Sequence, residues 1–299
     1  MKKWIKYTML ILISGCSGDN TTAGNPLVAL SVQATAPGDL SASSFSKLSL
    51  NTNSILIDVK NSSGVTVGQL NIQSAKIAIK EIEFELESQQ ASEEVEFDFK
   101  GPFIVNLLEN SISPEFPQVE LVEGVYNEVK LKIDKIEGDE VDSNGNPILS
   151  PADPLFGNSV VVSGLYTGPT SNQGNVSDMS FEMIFDFDDE LELTGVGDTS
   201  VGFNLESGLN RIILAFRTAK WLDFNNLETN ESGMEPAQLE VVGGAISLTV
   251  SSVGNNSSIR DVLYKNIKES LDYGKDADGD GVLERNEDDD PDSEDEDDD

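Results

Sequence analysis

The sequence predicts a mostly β fold, an antiparallel β-sandwich with one short helix near its C-terminus. Three observations carry that expectation. Apolar residues recur at every second position in run after run, the period of a strand with one face in a core and the other in water. Gly, Pro, Asn, Asp and Ser cluster between those runs at turn spacings typical of sandwiches, giving roughly ten to twelve short strands. No long helical pattern precedes Ser257, so the regular alternation of strand and helix that builds a parallel α/β sheet is missing.

Pro26 opens the run Leu27, Val28, Ala29, Leu30, Ser31, Val32, a first strand, and Ala36 to Asn53 reads mostly as loop from its Ser, Gly, Thr and Asn content. Ile55, Ile57 and Val59 resume the alternation, Gly64 marks a turn, and Val65 and Val67 start the return strand. Between Ala75 and Leu86 the phase changes, with Ile77 and Ile79 on odd positions and Ile82, Phe84 and Leu86 on even ones. Side chains alternate faces with period two, so an extra residue near Lys80 or Glu81, a β-bulge, is required to keep both sets facing one core. Val95, Phe97 and Phe99 form another run, expected to break at Gly101 and Pro102. The denser stretch Phe103, Ile104, Val105, Leu107 and Leu108 reads as a strand edge running into a loop.

The clearest β signal of the first half is Val125 to Ile133, where Val125, Val129, Leu131 and Ile133 alternate with Lys130, Lys132 and Asp134. Together with Phe103-Ile104-Val105-Asn106-Leu107-Leu108, Leu121, Gly124 and Tyr126, this strand resembles a family of uncharacterised bacterial lipoproteins that carry a sandwich like that of prealbumin. The resemblance extends from about Ala75 to Trp221; it implies a fold and no known reaction.

Gly138 to Asn158 is loop-rich, with Pro147, Pro151 and Pro154. Val160 to Val162 and Leu165 form a short strand, and Gly168 to Asp178 reads as polar loop. Met179, Phe181, Met183, Phe185 and Phe187 then alternate against Ser180, Glu182, Asp186 and Asp188, and Leu191 and Leu193 carry the pattern on. That strand is expected at the centre of the core. Val201, Phe203 and Leu205, then Ile212, Leu214 and Phe216, supply two strands with Gly208 between them, a hairpin. Trp221, Leu222 and Phe224 read as an apolar plug, and Ala245 to Val250 as the last strand.

The chain's first residues give an address. Lys2, Lys3 and Lys6 precede an apolar run, Tyr7 to Ile13, shorter than the roughly 20 residues that span a bilayer. Ile13-Ser14-Gly15-Cys16 follows, its small Ser14 and Gly15 opening the backbone to a peptidase. This resembles the bacterial lipoprotein signal, in which the cysteine is acylated and becomes the new N-terminus. The resemblance implies removal of residues 1–15 and a diacylglycerol and an N-linked chain such as palmitate on Cys16; the small, polar residues Ser17 to Gly24 read as a flexible tether, placed over residues 16–25. A buried cysteine behind an ordinary signal peptide is the competing reading; Cys16 is the only cysteine and ends the apolar run, which favours lipid. Ser17, in place of Asp, points in the enterobacterial sorting pattern to the outer membrane.

Composition excludes several classes. The formal net charge is −35, from 54 acidic and 19 basic residues, so nucleic acid and anionic surfaces are repelled. There is no histidine, which removes Ser-His-Asp and Cys-His nucleophiles and the commonest zinc ligand. With Cys16 lipidated no disulfide is available. From Asp272 onward there are 16 acids and two bases, a compositional region of its own.

Just ahead of that region Ser258 is expected to cap a helix carrying Ile259, Val262, Leu263, Ile267 and Leu271 at helical spacing and ending near Gly274. Next comes Asp276-Ala277-Asp278-Gly279-Asp280-Gly281-Val282-Leu283-Glu284-Arg285-Asn286-Glu287, which fits D-x-D-x-D-G-x5-E. Asp276, Asp278 and Asp280 can converge on one Ca²⁺, Gly281 permits the sharp turn, the Val282 carbonyl adds a ligand, Glu284 acts directly or through water, and Glu287 closes the shell. Leu283, at the apolar eighth position, is expected to tuck the loop against neighbouring structure. Asp288, Asp289, Asp290 and Pro291 forbid a second helix, so the site resembles the half-hands of secreted bacterial calcium modules, and the acidic tail 288–299 reads as solvated disorder. The competing reading is an acidic tail with chance Asp-Gly turns. A second acidic turn, Asp142, Asn144, Asn146 and Asp153, has Pro147 where the glycine is required and reads as a plain loop.

The resulting expectation is a non-catalytic, lipid-anchored outer-membrane protein. A sandwich over residues 26–252, in one or two sub-sheets, binds or supports a protein or glycan partner, and residues 257–287 form the helix and EF-hand-like calcium loop. The alternative is a carboxylate-based glycan hydrolase using Asp186, Asp188, Asp189 and Glu190, but alternation places Asp186 and Asp188 on a solvent face.

Overall fold

The computed structural model describes residues 25–35, 54–86, 95–138, 140–141, 145–194, 203–276 and Leu283. Among them are fourteen strands and one α-helix. The first seven strands are β1 (Leu27–Thr35), β2 (Ile55–Lys60), β3 (Thr66–Leu86), β4 (Val95–Asn106), β5 (Ser111–Ser113), β6 (Val119–Glu120) and β7 (Gly124–Asp134). There follow β8 (Val160–Thr170), β9 (Gly174–Phe185), β10 (Asp188–Thr194), β11 (Phe203–Leu205), β12 (Leu209–Arg217), β13 (Ala245–Leu248), α1 (Asn255–Lys268) and β14 (Leu271–Lys275).

Two sheets result. The larger follows the order β10-β7-β3-β8-β9-β13, with β2 and β4 on the other edge of β3, β5 beyond β4, and β11 beside β7. The smaller is β14-β12-β1-β6. Val28, Val32, Leu214, Phe216 and Tyr273 of the smaller sheet share one buried cluster with Ile57, Ile77, Leu131, Val162 and Phe181 of the larger. The arrangement is sandwich-like.

The sheets are mixed rather than purely antiparallel, because β1 runs parallel to β12 and β13 parallel to β9. A parallel pair needs a long crossover, and most of the domain lies between β1 and β12.

β3, 21 residues long, organises the larger sheet. Its first half lies between β2 and β8 and its second between β4 and β7. Against both β4 and β7 its register shifts between Ile79 and Glu81, so Lys80 is the extra residue that the phase change demands. Ile77, Ile79, Ile82 and Phe84 accordingly all reach one core. A second shift, between Ile72 and Ser74 against β8, moves Leu70 and Ile72 into phase with Ala75.

Several expected breaks are continuous strand. β4 runs through Gly101 and Pro102; a Cβ on Gly101 would stand 2.5 Å from the Ile79 carbonyl oxygen, so glycine here permits close pairing at the bulge. β8 extends to Thr170, and β9 begins at Gly174, leaving a short turn where a long loop is expected. Gly164 and Gly168 occupy inward positions of β8 and hide its alternation; the Tyr166 hydroxyl lies where a Gly168 Cβ would be, at 2.6 Å.

Other elements change partner. Gly208 does not close a hairpin: β11 pairs with β7 in the larger sheet and β12 with β1 in the smaller, so the chain crosses between sheets there. β9 buries Phe181, Met183 and Phe185 as expected, but it is one strand in from the edge strand β13, and β3 holds the centre. The alternation does carry on past Phe185, into β10 beside β7, where Leu191 is buried.

The described residues between 135 and 158 pack over the outer face of the larger sheet. Ile136, Leu149 and Leu155 cover Ala78 and Val161 in a separate small core. Lys76 pairs with Asp153 at 2.9 Å, and Lys80 pairs with Glu140, fastening this segment to β3.

Trp221, Leu222 and Phe224 are fully buried, with the Trp221 indole N–H donating to Ser270 Oγ at 2.9 Å. α1 buries Ile259, Val262, Leu263 and Ile267 at helical spacing, but it starts behind Gly254 rather than Ser258 and stops at Lys268. Leu271 therefore does not belong to the helix, and Ala245–Leu248 is not the last strand. The backbone of Ile212–Phe216 needs a partner along one edge, and β14 supplies it, turning Leu271 and Tyr273 into the core.

Candidate functional site

The expected calcium loop begins where β14 ends. Asp276 donates its backbone N–H to the Arg211 carbonyl at 3.0 Å, prolonging the β12–β14 ladder by one step, and is only 5% exposed. Leu283, 2% exposed, packs on Ile213 and Ala215. Ile212, Leu214 and Phe216 of β12 face the shared core, so Ile213 and Ala215 face outward. Loop positions one and eight are thus both held by β12, and Leu283 tucks against neighbouring structure as expected. On this side of the sheet Arg217 and Asp272 form a buried ion pair.

Of the six residues expected to hold the ion, Asp276 is described; Asp278, Asp280, Val282, Glu284 and Glu287 lie outside the described residues, as do Cys16 and residues 288–299. A buried carboxylate at the loop's first position and a donor set made of oxygens fit a hard divalent cation. The element leading into Asp276 is the strand β14, where the helix is expected to run to near Gly274. Among the described residues no group of three or more His, Cys, Asp or Glu is placed to hold a metal.

The carboxylates considered for glycan hydrolysis line the stretch that runs from the end of β9 into β10. Asp186, Asp188 and Glu190 are exposed, with Asp188 3.8 Å from Lys132, while Asp189 lies 3.6 Å from Lys268 of α1. Phe187 turns inward, its ring 4.6 Å from Phe185 and 4.0 Å from Tyr264, with the Lys268 ammonium 5.2 Å from the Tyr264 ring centre. This aromatic group seats α1 on the larger sheet.

A cluster absent from the sequence reading centres on Lys130, whose ammonium lies 3.1 to 3.2 Å from Glu83, Glu85 and Glu128. Burial alone would lower its pKa, but hydrogen bonds to Glu128, Glu85 and Glu83 outweigh that and hold it charged well above the usual lysine range. The register of β3 against β7, which sets Glu83 opposite Lys130, brings Glu83 and Glu85 to the ammonium, while Glu128 stands two residues away on the same strand.

In the second acidic turn Asp142 and Asn144 lie outside the described residues. Asp153 is committed elsewhere, to Lys76 and to the Leu155 N–H at 2.9 Å. Burial would raise its pKa, but those two bonds draw it below the ordinary 3.8. A depressed carboxylate pKa contributes stability that is present above about pH 4 and is lost as pH falls through the lowered value. Asp153→Asn should destabilise by about 1 kcal/mol at neutral pH and speed amide exchange at Leu155. The difference from wild type should vanish in acid; an unchanged exchange rate at neutral pH would show the pair to be inert.

Comparison with protein-family models, curated proteins and solved structures finds no match.

Proposed function

We propose that this chain is a lipid-anchored protein of the bacterial outer membrane. Its non-catalytic, prealbumin-like sandwich binds or supports a protein or glycan partner at the envelope, and a structural calcium loop closes its C-terminal end. The observation that carries the reading is the lone cysteine in Ile13-Ser14-Gly15-Cys16, ahead of a two-sheet domain without histidine. The fold resemblance gains support from the burial of Phe103, Val105, Leu107, Leu121, Tyr126 and Leu131 in the common core. The exposure of Asp186, Asp188 and Glu190 to solvent gives the hydrolase alternative no support.

Asp276, Asp278, Asp280, the Val282 carbonyl, Glu284 and Glu287 would hold Ca²⁺, whose charge would neutralise part of the acidic C-terminal region. Binding should be weak, with a Kd of roughly 10⁻⁴ to 10⁻³ M as in extracellular modules. At ten times Kd the ion then adds about 1.4 kcal/mol of stability, raising Tm by about 2–4 °C. Calorimetric titration should show heat for the mature protein and none for Asp276→Ala with Asp280→Ala. A wild type with neither heat nor a Tm shift ends the calcium assignment. Pull-down from solubilised envelope with the acylated protein tests the binding role, which fails if no protein or glycan is enriched over a mock-loaded matrix.

A further inference from the structure

We propose that the end of the sandwich at which β1 begins faces the membrane, with Val122 and Leu209 resting on the lipid surface that anchors Cys16. The inference rests on the acylation of Cys16. Residues 17–24 join that cysteine to Asn25, nine steps that span at most about 30 Å when fully extended and about 17 Å on average as a flexible chain.

The chain enters the fold between two neighbours. Leu27 lies opposite Leu209 of β12 and Glu120 of β6, and its N–H donates to the Gly208 carbonyl at 2.7 Å. The Pro26 carbonyl accepts the Leu121 N–H at 2.9 Å. Leu209 and the Leu121-Val122 step therefore flank the entry, each about one strand spacing, roughly 5 Å, to either side. Leu209 is 47% exposed and Val122 50%. Isolated exposed apolar side chains are ordinary on a protein surface; these two differ because the acyl chains cannot leave their neighbourhood.

The opposite end offers an internal contrast. Leu227 is 77% exposed. It lies beyond the other end of β12, where Asn226 bonds Glu269 at 2.8 Å and the Ser270 carbonyl accepts the Arg217 N–H. The nine residues of β12 place that end roughly 26 Å from Leu209, farther than the tether's mean span. Exposed Glu120, Glu123 and Glu206 border the entry, and like charge repels anionic headgroups, so the surface contacted is zwitterionic.

Cys16 is the only cysteine, so an added thiol is the only one free for labelling once Cys16 is acylated. Leu209→Cys, Val122→Cys and Leu227→Cys would each be exported with the native signal, labelled with a fluorophore and reconstituted in phosphatidylcholine vesicles carrying a nitroxide on the lipid headgroup. Labels at positions 209 and 122 should lose most of their fluorescence, and the label at 227 should keep it. Equal quenching at all three positions, or quenching at 227 alone, in protein whose mass shows an acylated Cys16 overturns the orientation and leaves the anchor standing. An unmodified Cys16 overturns the anchor and the orientation with it.

Discussion

Phe185→Asp is expected to leave the domain unfolded at 25 °C, with no cooperative urea transition and no near-ultraviolet circular dichroism. Phe185 is 2% exposed, stands opposite Val160, and contacts the Phe187 ring, which in turn lies on Tyr264. Removing a buried Phe side chain costs about 3–5 kcal/mol. An aspartate in its place must bury a charge without a partner, at several kcal/mol more, or take up a proton. Together these approach or exceed the 5–15 kcal/mol that holds an ordinary domain together. The damage also spreads to the contact that seats α1, because Phe187 and Tyr264 lose the ring they pack on. Phe185→Leu, which keeps an apolar side chain, should lower the urea midpoint and remain cooperative. A folded Phe185→Asp protein within about 2 kcal/mol of wild type would show that β9 is not part of the core.

The strand pattern was legible wherever large apolar residues carried it. The phase change at Lys80 is the clearest case, since two sets of isoleucine and phenylalanine cannot share a core without an extra residue. The signal faded where small residues occupied inward positions: Gly164 and Gly168 made half of β8 look like loop. It misled where helix and strand periods overlap. Leu271 continues the spacing of Ile267, yet the unpaired edge of β12 claims it for β14. Pairing partners were legible across a local turn, where β2 and β3 pair about Gly64, and not at long range. Parallel β1 and β12 meet across most of the chain, and Glu83 and Glu85 reach Lys130 only through register. At the candidate site, the apolar eighth position foretold the burial of Leu283, because a leucine amid so many carboxylates has few other uses. That a strand would lead into Asp276 could not be read, for the same reason that Leu271 was misassigned.

Residues 17–299, exported behind a secretory signal that lacks a cysteine at its cleavage site, are expected to move almost completely from the membrane pellet to the soluble fraction. Each buried acyl methylene contributes about 0.8 kcal/mol, and a single chain holds a protein only marginally, with an association constant of roughly 10⁴ M⁻¹. The proposed anchoring by Cys16 therefore depends on several chains on one residue, and deleting that residue would remove all of them. Among the described residues no helix is long and apolar enough to cross a membrane, and a net charge of −35 disfavours contact with anionic headgroups. Val122 and Leu209, two partly exposed side chains, add far less than an acyl chain does. The fold should survive, since the first strand begins at Leu27 and is held by Leu209 and Glu120. Fractionation with and without detergent reads the outcome, and the mass of the wild-type N-terminal peptide identifies the modification. If the truncated chain still pellets after a high-salt wash, the domain holds the membrane through its own surface, and Cys16 is not the anchor.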